Sequence, residues 1–456
     1  MGKSNPENGA NEKTPIMAPN QNKSVQEIDE AQEPHVTGGL TIFTAAVFMV
    51  GEMAGSGVLA LPQSLDQAGW IGMLLIVGCC VLSAYTGKVL GSAWILVQER
   101  YPQYQGHVRY PYPAIGQVTY GKPGRYLVSF SINFTLFGVS TVFLLLAAEN
   151  IQALIKDVGH DISFCYWLLL IATILLPVTW LGTPKDFWFI AIGATAATSV
   201  ACVVLFSNMI YDGTHRKDAG PVRHSSSSFI DFFMAFGTIC FAFGGHPAFP
   251  TFQTDMKKQK NFGRAVLLAY LIVLAMYLPV SVAGYFVYGS DVKANILLTV
   301  SHGPMLYIVQ ILITAHLLFG FVIVINPFCQ EMEEVLNVPK KFNWKRCVVR
   351  TAMMALVVFV AETIPRFGGI LALVGGSTTT LLAYVLPSLF YLKLCSMKGD
   401  WEEVHVPLHM KVMNYEILMV GVVAGIASTY SAITDLSAPG SFTLPCYINM
   451  TSAEGH

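Results

Sequence analysis

Glu52, His246 and His316 are titratable side chains set inside long apolar runs. A carboxylate at membrane depth is costly, and such groups usually face a cavity and serve a proton or ion pathway. Imidazole changes charge close to neutral pH. These types suit proton exchange better than bond-breaking chemistry. The plainer alternative is structural: a hydrogen-bonded Glu52, and histidines that cap freed carbonyls. Their neighbours sharpen the question. Glu52 lies in "VFMVGEMAGSGVLALPQSL" (47–65), among Gly51, Ala54, Gly55, Ser56 and Gly57. His246 follows Phe241, Ala242, Phe243, Gly244 and Gly245 in "FAFGGHPAFP" (241–250). In a helix interior Gly costs about 1 kcal/mol against Ala, and Pro about 3. Pro247 also deletes a backbone donor. Both stretches therefore predict interrupted helices.

The elements that must position these residues follow from composition. The chain has 456 residues, 54% hydrophobic and 12% charged, with a mean hydropathy of +0.54. Soluble domains carry nearer 25% charged residues, so lipid is the expected solvent. A net charge of −1 gives no reason to expect nucleic acid. Residues 1–38 are polar and read as a disordered cytoplasmic tail. They contain no apolar core of a signal peptide. The transmembrane domain is expected over 39–436 and a short outer tail over 437–456.

A crossing helix needs about 20 apolar residues. Eleven candidates result: 40–65, 69–95, 126–153, 165–181, 187–211, 229–250, 265–288, 303–328, 347–363, 367–393 and 415–435. With the N-terminus in the cytoplasm, inner segments hold 20 of the 27 Lys and Arg, as the positive-inside rule requires. The odd count puts the C-terminus outside, where "NMT" makes Asn449 a glycosylation acceptor. "NKS" at Asn22 would be silent. Glu149 and Glu362 fall near outer ends and are expected to be wet. Of the nine cysteines, Cys165 and Cys446 fall on the oxidising outer side, where a bridge could persist. No clustered Cys or His suggests a metal, and no cofactor is implied.

Spans 1 and 6 are the interrupted ones, five helices apart. Breaks at corresponding positions point to inverted five-helix repeats, with the ligand bound at the breaks. Irregular backbone at membrane depth is tolerated only where protein or a wet cavity satisfies it. Half-helix N-termini favour a carboxylate, and freed carbonyls favour a cation. A zwitterion offers both charges. Close packing of small residues would explain a single Gly cluster equally well. Asn133 and Ser140 of span 3 could line the site or bond between helices.

At these residues the chain resembles the amino acid/auxin permease family, the eukaryotic transmembrane amino acid transporter domain. "FAFGGHPAFPTFQTDMKKQKNFGRAV" (241–266) is similar to that family's sixth-helix stretch, and "GSGVLALP" (55–62) to its first-helix break. "AIGQVTYGKPGRYLV" (114–128), "YGSDVKANIL" (288–297) and "INPFCQEMEE" (325–334) extend the resemblance over about 40–435. It implies an all-α polytopic membrane protein of eleven transmembrane helices, with a leucine-transporter-like 5+5 inverted repeat broken at helices 1 and 6. It also implies amino acid transport, often driven by protons. Glu52 departs from the family pattern, where that position is mostly uncharged.

The resulting expectation is a secondary active, proton-coupled carrier of neutral amino acids or close derivatives. Its substrate-binding residues would be Gly51, Ala54–Gly57, Asn133, Ser140 and Phe241–Gly245, with coupling by Glu52, His246 and His316. In this fold a sodium site commonly uses helix-8 hydroxyls, and Phe319 to Ile325 offer none. A sodium-coupled or uncoupled carrier is the first alternative, and an amino-acid sensor the second. An enzyme lacks any motif here, and a channel lacks a filter or charged ring. Plasma and endolysosomal or vesicular membranes are both open, as is the oligomeric state.

Overall fold

Thr41 opens the first helix with a reciprocal cap: its hydroxyl accepts from the Thr44 amide, and Thr44 Oγ1 accepts from the Thr41 amide. The computed structural model describes residues 39–106, 108–160, 162–181, 188–215, 221–339, 341–439 and 448, the side chains of 188–191 excepted. Within these, α1 (Ile42–Met53) and α2 (Gly57–Ala68) meet at a 63° bend. Then follow α3 (Ile71–Arg100), α4 (Pro111–Asp157), α5 (Phe164–Trp180), α6 (Trp188–His215), α7 (Phe229–Ala242), the short α8 (Phe249–Thr254), α9 (Phe262–Tyr288), α10 (Pro304–Val335) and α11 (Trp344–Thr363). α12 (Phe367–Val374) runs through two π-helical segments, Gly375–Thr379 and Leu381–Val385, into α13 (Leu386–Ser396), and α14 (Leu408–Leu436) ends the set. The described residues contain no strand, only an isolated bridge between Leu40 and Met256.

Seven of these helices or helix runs are long and apolar enough to cross a membrane, and eight if the bent pair counts as one. The multi-pass membrane architecture is thereby seen. The core sits where α2 packs on α7, with α9 laid against α1, α2 and α3, and α4 against α10. α12, the first π segment and α14 close on the other side of α7. Gly375 makes that approach possible: a Cβ there would lie only 1.8 Å from the Gly237 carbonyl oxygen.

Some expectations need correction. The segment expected as an inner loop over 96–125 is helical from Pro111, and breaks only at Gly121, whose φ of 68° few other residues tolerate. The proline and tyrosine content of this stretch hid a buried helical turn whose Tyr112 hydroxyl donates to the Leu382 carbonyl at 2.6 Å. Glu362 is not wet but 2% exposed. Glu149 accepts from Asn295 at 3.3 Å. Cys165 is disulfide-bonded, and the seven other described cysteines are free. Cys446, Asn449 and Asn22 lie outside the described residues.

One end of the bundle, where α2 finishes and α7 begins, is closed by loops. Ser290 donates its amide to the Arg223 carbonyl at 2.8 Å, and Ile296 and Leu297 are buried beneath. Asp66 at the tip of α2 accepts from the Ser225 amide at 3.3 Å and faces His224 at 3.4 Å. At the opposite end, Glu333 of α10 holds Arg350 at 2.5 Å and Arg346 at 3.1 Å from α11.

Candidate functional site

The two breaks touch. A Cβ on Gly57 would fall 2.8 Å from both the Cα and the Cβ of Ala242, so the start of α2 and the end of α7 cross in close contact that only a glycine permits. Ser56 precedes α2 without capping it. The amides of Ser56 and Gly57 donate no backbone hydrogen bond among the described residues, whereas Ala54 and Gly55 donate to Val50 and Met53. Across the crossing, the carbonyls of Ala242 and Gly244 accept none among the described residues. Unpaired donors on one break thus stand beside unpaired acceptors on the other.

Not every freed carbonyl is open. Tyr277 of α9 donates to the Met53 carbonyl at 2.6 Å, and Tyr270 donates to the Phe243 carbonyl at 2.9 Å. Both tyrosines are nearly fully buried. Being one π-rich side chain per break and seven residues apart on α9, they hold the two unwound stretches from one helix face. Sequence reasoning missed them, because a tyrosine in an apolar run carries no signal of its partner.

Two hydroxyls add polar atoms to the crossing. Ser56 Oγ and Thr379 Oγ1 are buried and have no hydrogen-bond partner among the described residues. A Cβ on Gly244 would lie 2.4 Å from the Thr379 methyl, so Thr379 stands directly against the second break. It belongs to a π segment, a deviation often found at functional sites. A buried orphan hydroxyl in a native protein calls for an explanation such as a bound group or water. The sequence signal for Thr379 is the "GGSTTT" run inside an apolar span.

His316 of α10 reaches the first break. A Cβ on Gly55 would sit 3.3 Å from its Nε2 and 3.3 Å from the Phe143 ring. Its Nδ1 lies 2.9 Å from Thr198 Oγ1 and 3.2 Å from the Ala194 carbonyl, both on α6. A carbonyl can only accept, so Nδ1 carries the hydrogen and Nε2 presents a lone pair toward Gly55. Phe143 of α4 also packs on Gly320 of α10, where a Cβ would lie 2.7 Å from its ring. Phe143 thus stands at the break on α4, the helix that also carries Ser140 and Asn133. Those two bond within their own helix, to Leu136 and Ser129.

His246 turns the other way. It is fully buried, its Nε2 3.0 Å from Thr86 Oγ1 of α3, its ring against Phe249 at 4.9 Å. It ties the second break to α3. Glu52 occupies the last turn of α1 and is exposed, with no hydrogen bond or ion pair among the described residues. Gly51 and Phe241 are half-buried, while Gly245 is packed between Met53 and Phe249. No group of three or more His, Cys, Asp or Glu able to hold a metal ion occurs among the described residues.

A family model described as transmembrane amino acid transporter protein matches residues 38–434. Among similar proteins are the amino acid transporters AVT1J and AVT1I of Arabidopsis thaliana. The first is 25% identical, over 91% of this chain and 96% of the relative. The second is 24% identical, over 89% and 98%. Solved structures of the same fold include MhsT in complex with L-phenylalanine, with a TM-score of 0.55 at 14% identity over 86% of this chain and 99% of the other. MHP1, a nucleobase-cation-symport-1 family transporter with bromovinylhydantoin bound, gives 0.53 at 12% identity over 87% and 91%.

Proposed function

Because the chain belongs to the transmembrane amino acid transporter family, we propose that it is a proton-coupled carrier of neutral amino acids, working by alternating access around the two breaks. Amino acid transport itself is the property its relatives share by name. The observation that carries the finer reading is the crossing at Gly57 and Ala242, where unpaired amides and unpaired carbonyls adjoin. An α-amino acid presents a carboxylate and an ammonium on one carbon. The amides at the uncapped N-terminus of α2 suit the carboxylate, and the Ala242 and Gly244 carbonyls suit the ammonium. Ser56 and Thr379 supply further polar contacts, and Phe143 an apolar wall. The described site adds no charged side chain to receive a charged substrate side chain beyond Glu52 and the histidines.

Protons are the coupling ion in this reading. His316 Nε2 is placed to accept a proton beside the substrate, with Nδ1–H anchored on α6. An exposed carboxylate such as Glu52 belongs to a water-filled cavity rather than to lipid, which makes it the relay between cavity and site. Eleven spans arranged as inverted five-helix repeats, with an inner N-terminus and an outer C-terminus, complete the proposal. The broken pair α1–α2, the α7–α8 break and the Lys and Arg asymmetry support it.

The test is uptake into proteoliposomes containing the full chain, screened over amino acids under separately imposed pH and sodium gradients. Accumulation of neutral amino acids driven by an inward proton gradient alone is expected. Accumulation that requires sodium would overturn the coupling, and saturable binding with no flux would favour a sensor.

A further inference from the structure

A cavity of about 520 Å³ lies where α13 ends and α14 begins, walled also by Tyr120 of α4 and by residues of the 397–407 connection. It is on the face that the Lys and Arg asymmetry assigns to the cytoplasm. Lys393, Lys398, Lys411 and His405 line it against a single carboxylate, Glu403. Lys398 and Glu403 are 4.0 Å apart and 86% and 72% exposed, so solvent screens that pair and it neutralises little. The other nearby acids, Asp400, Glu402 and Glu416, are exposed and do not line the cavity.

The placement of Lys411 is the informative feature. It stands in the first turn of α14, a 29-residue helix whose N-terminus has no side-chain cap and no acidic residue. The helix dipole is positive there, so a cation in that turn is unfavourable on its own. Lysines and an uncapped helix start thus converge on one cavity and leave it short of an anion. Leu389, Leu392 and Leu418 add an apolar stretch to the wall. Tyr415 and Met419, on the same stretch of α14, are 60% and 63% exposed. A soluble polyanion would have no use for the leucine wall, and a neutral lipid none for the lysines.

We propose that this cavity binds the phosphorylated headgroup of an anionic phospholipid of the cytoplasmic leaflet, with its acyl chains along the exposed face of α14. Basic pockets on the cytoplasmic side of membrane helices recognise such headgroups. The site is distinct from the crossing of the breaks.

The experiment is a thermal-stability titration of the detergent-purified full chain with short-chain dioctanoyl phosphatidylinositol phosphate. Dioctanoyl phosphatidylcholine and inorganic phosphate serve as the other arms. Stabilisation by the phosphoinositide alone is expected. The Lys393→Gln, Lys411→Gln double variant should weaken apparent affinity about twenty-five-fold, at about five-fold per lysine. Glu403→Gln should strengthen it, which keeps the idea testable if the double variant does not fold. Equal stabilisation by phosphatidylcholine would overturn the proposal, as would equal stabilisation by inorganic phosphate. So would undiminished affinity in a folded double variant, or weaker affinity in Glu403→Gln.

Discussion

At the scale of single residues, the titratable groups in the spans divide into different jobs. His246 is spent on Thr86 and Phe249, holding the second break to α3. His316 keeps one nitrogen on α6 and offers the other to Gly55. Glu52 is exposed and unpaired among the described residues. Glu52→Gln should reach the membrane normally yet lose acceleration of uptake by an inward proton gradient. His316→Gln keeps a side chain able to hydrogen-bond to α6 but cannot take up a proton. It should abolish gradient-driven accumulation while exchange of labelled for unlabelled substrate continues. Uptake that still rises with the gradient in both variants would refute proton coupling through this pair. The histidines look alike in sequence; only the partners on α3 and α6, contributed by distant helices, tell them apart.

At the scale of elements, the breaks are held open by specific contacts. Tyr277 and Tyr270 satisfy one carbonyl at each break from the same helix, which removes part of the cost of unwinding. Gly244 and Gly57 then differ in use. A side chain on Gly244 would strike the Thr379 methyl within the site, whereas one on Gly57 would strike the backbone of α7. Gly244→Leu should insert and fold but lose substrate binding, measured by isothermal titration or by uptake. Gly57→Leu should in addition lower stability, by about 1–3 kcal/mol or more, because it pries apart a packed crossing. Normal affinity in Gly244→Leu would place the substrate elsewhere. The breaks were readable from sequence because two Gly clusters, one of them followed by His-Pro, stand five helices apart, which close packing at a single site does not explain. Which glycine serves the ligand and which serves packing was not, because that depends on what lies across from each.

At the scale of the whole molecule, the loops at the α2 and α7 end are sealed by Asn295, Asp66 and the Arg223–Ser290 contact. A disulfide at Cys165, at the N-terminal end of α5, belongs to the side assigned as outer. Peptide mapping without reduction should find Cys165 in a bridge, and Asn449→Gln should abolish a glycan shift on a gel while Asn22→Gln leaves it intact. A reduced Cys165 together with an unglycosylated C-terminus reachable only after permeabilisation would reverse the proposed orientation.

The sequence by itself determined the membrane setting, the positions of the long apolar helices and the two breaks, and with them the family. Those properties follow from composition, periodic apolar runs and residues that cannot propagate a helix, all of which are local along the chain. Tertiary structure decided the rest. It brought Gly57 against Ala242, set Phe143 and His316 at Gly55, and aimed Thr379 from a π segment at Gly244. It also turned Asn133 and Ser140 onto their own helix. These outcomes depend on the rotation and crossing of helices far apart in the chain. Such packing is fixed by close contacts between whole faces, and no short stretch of sequence encodes it.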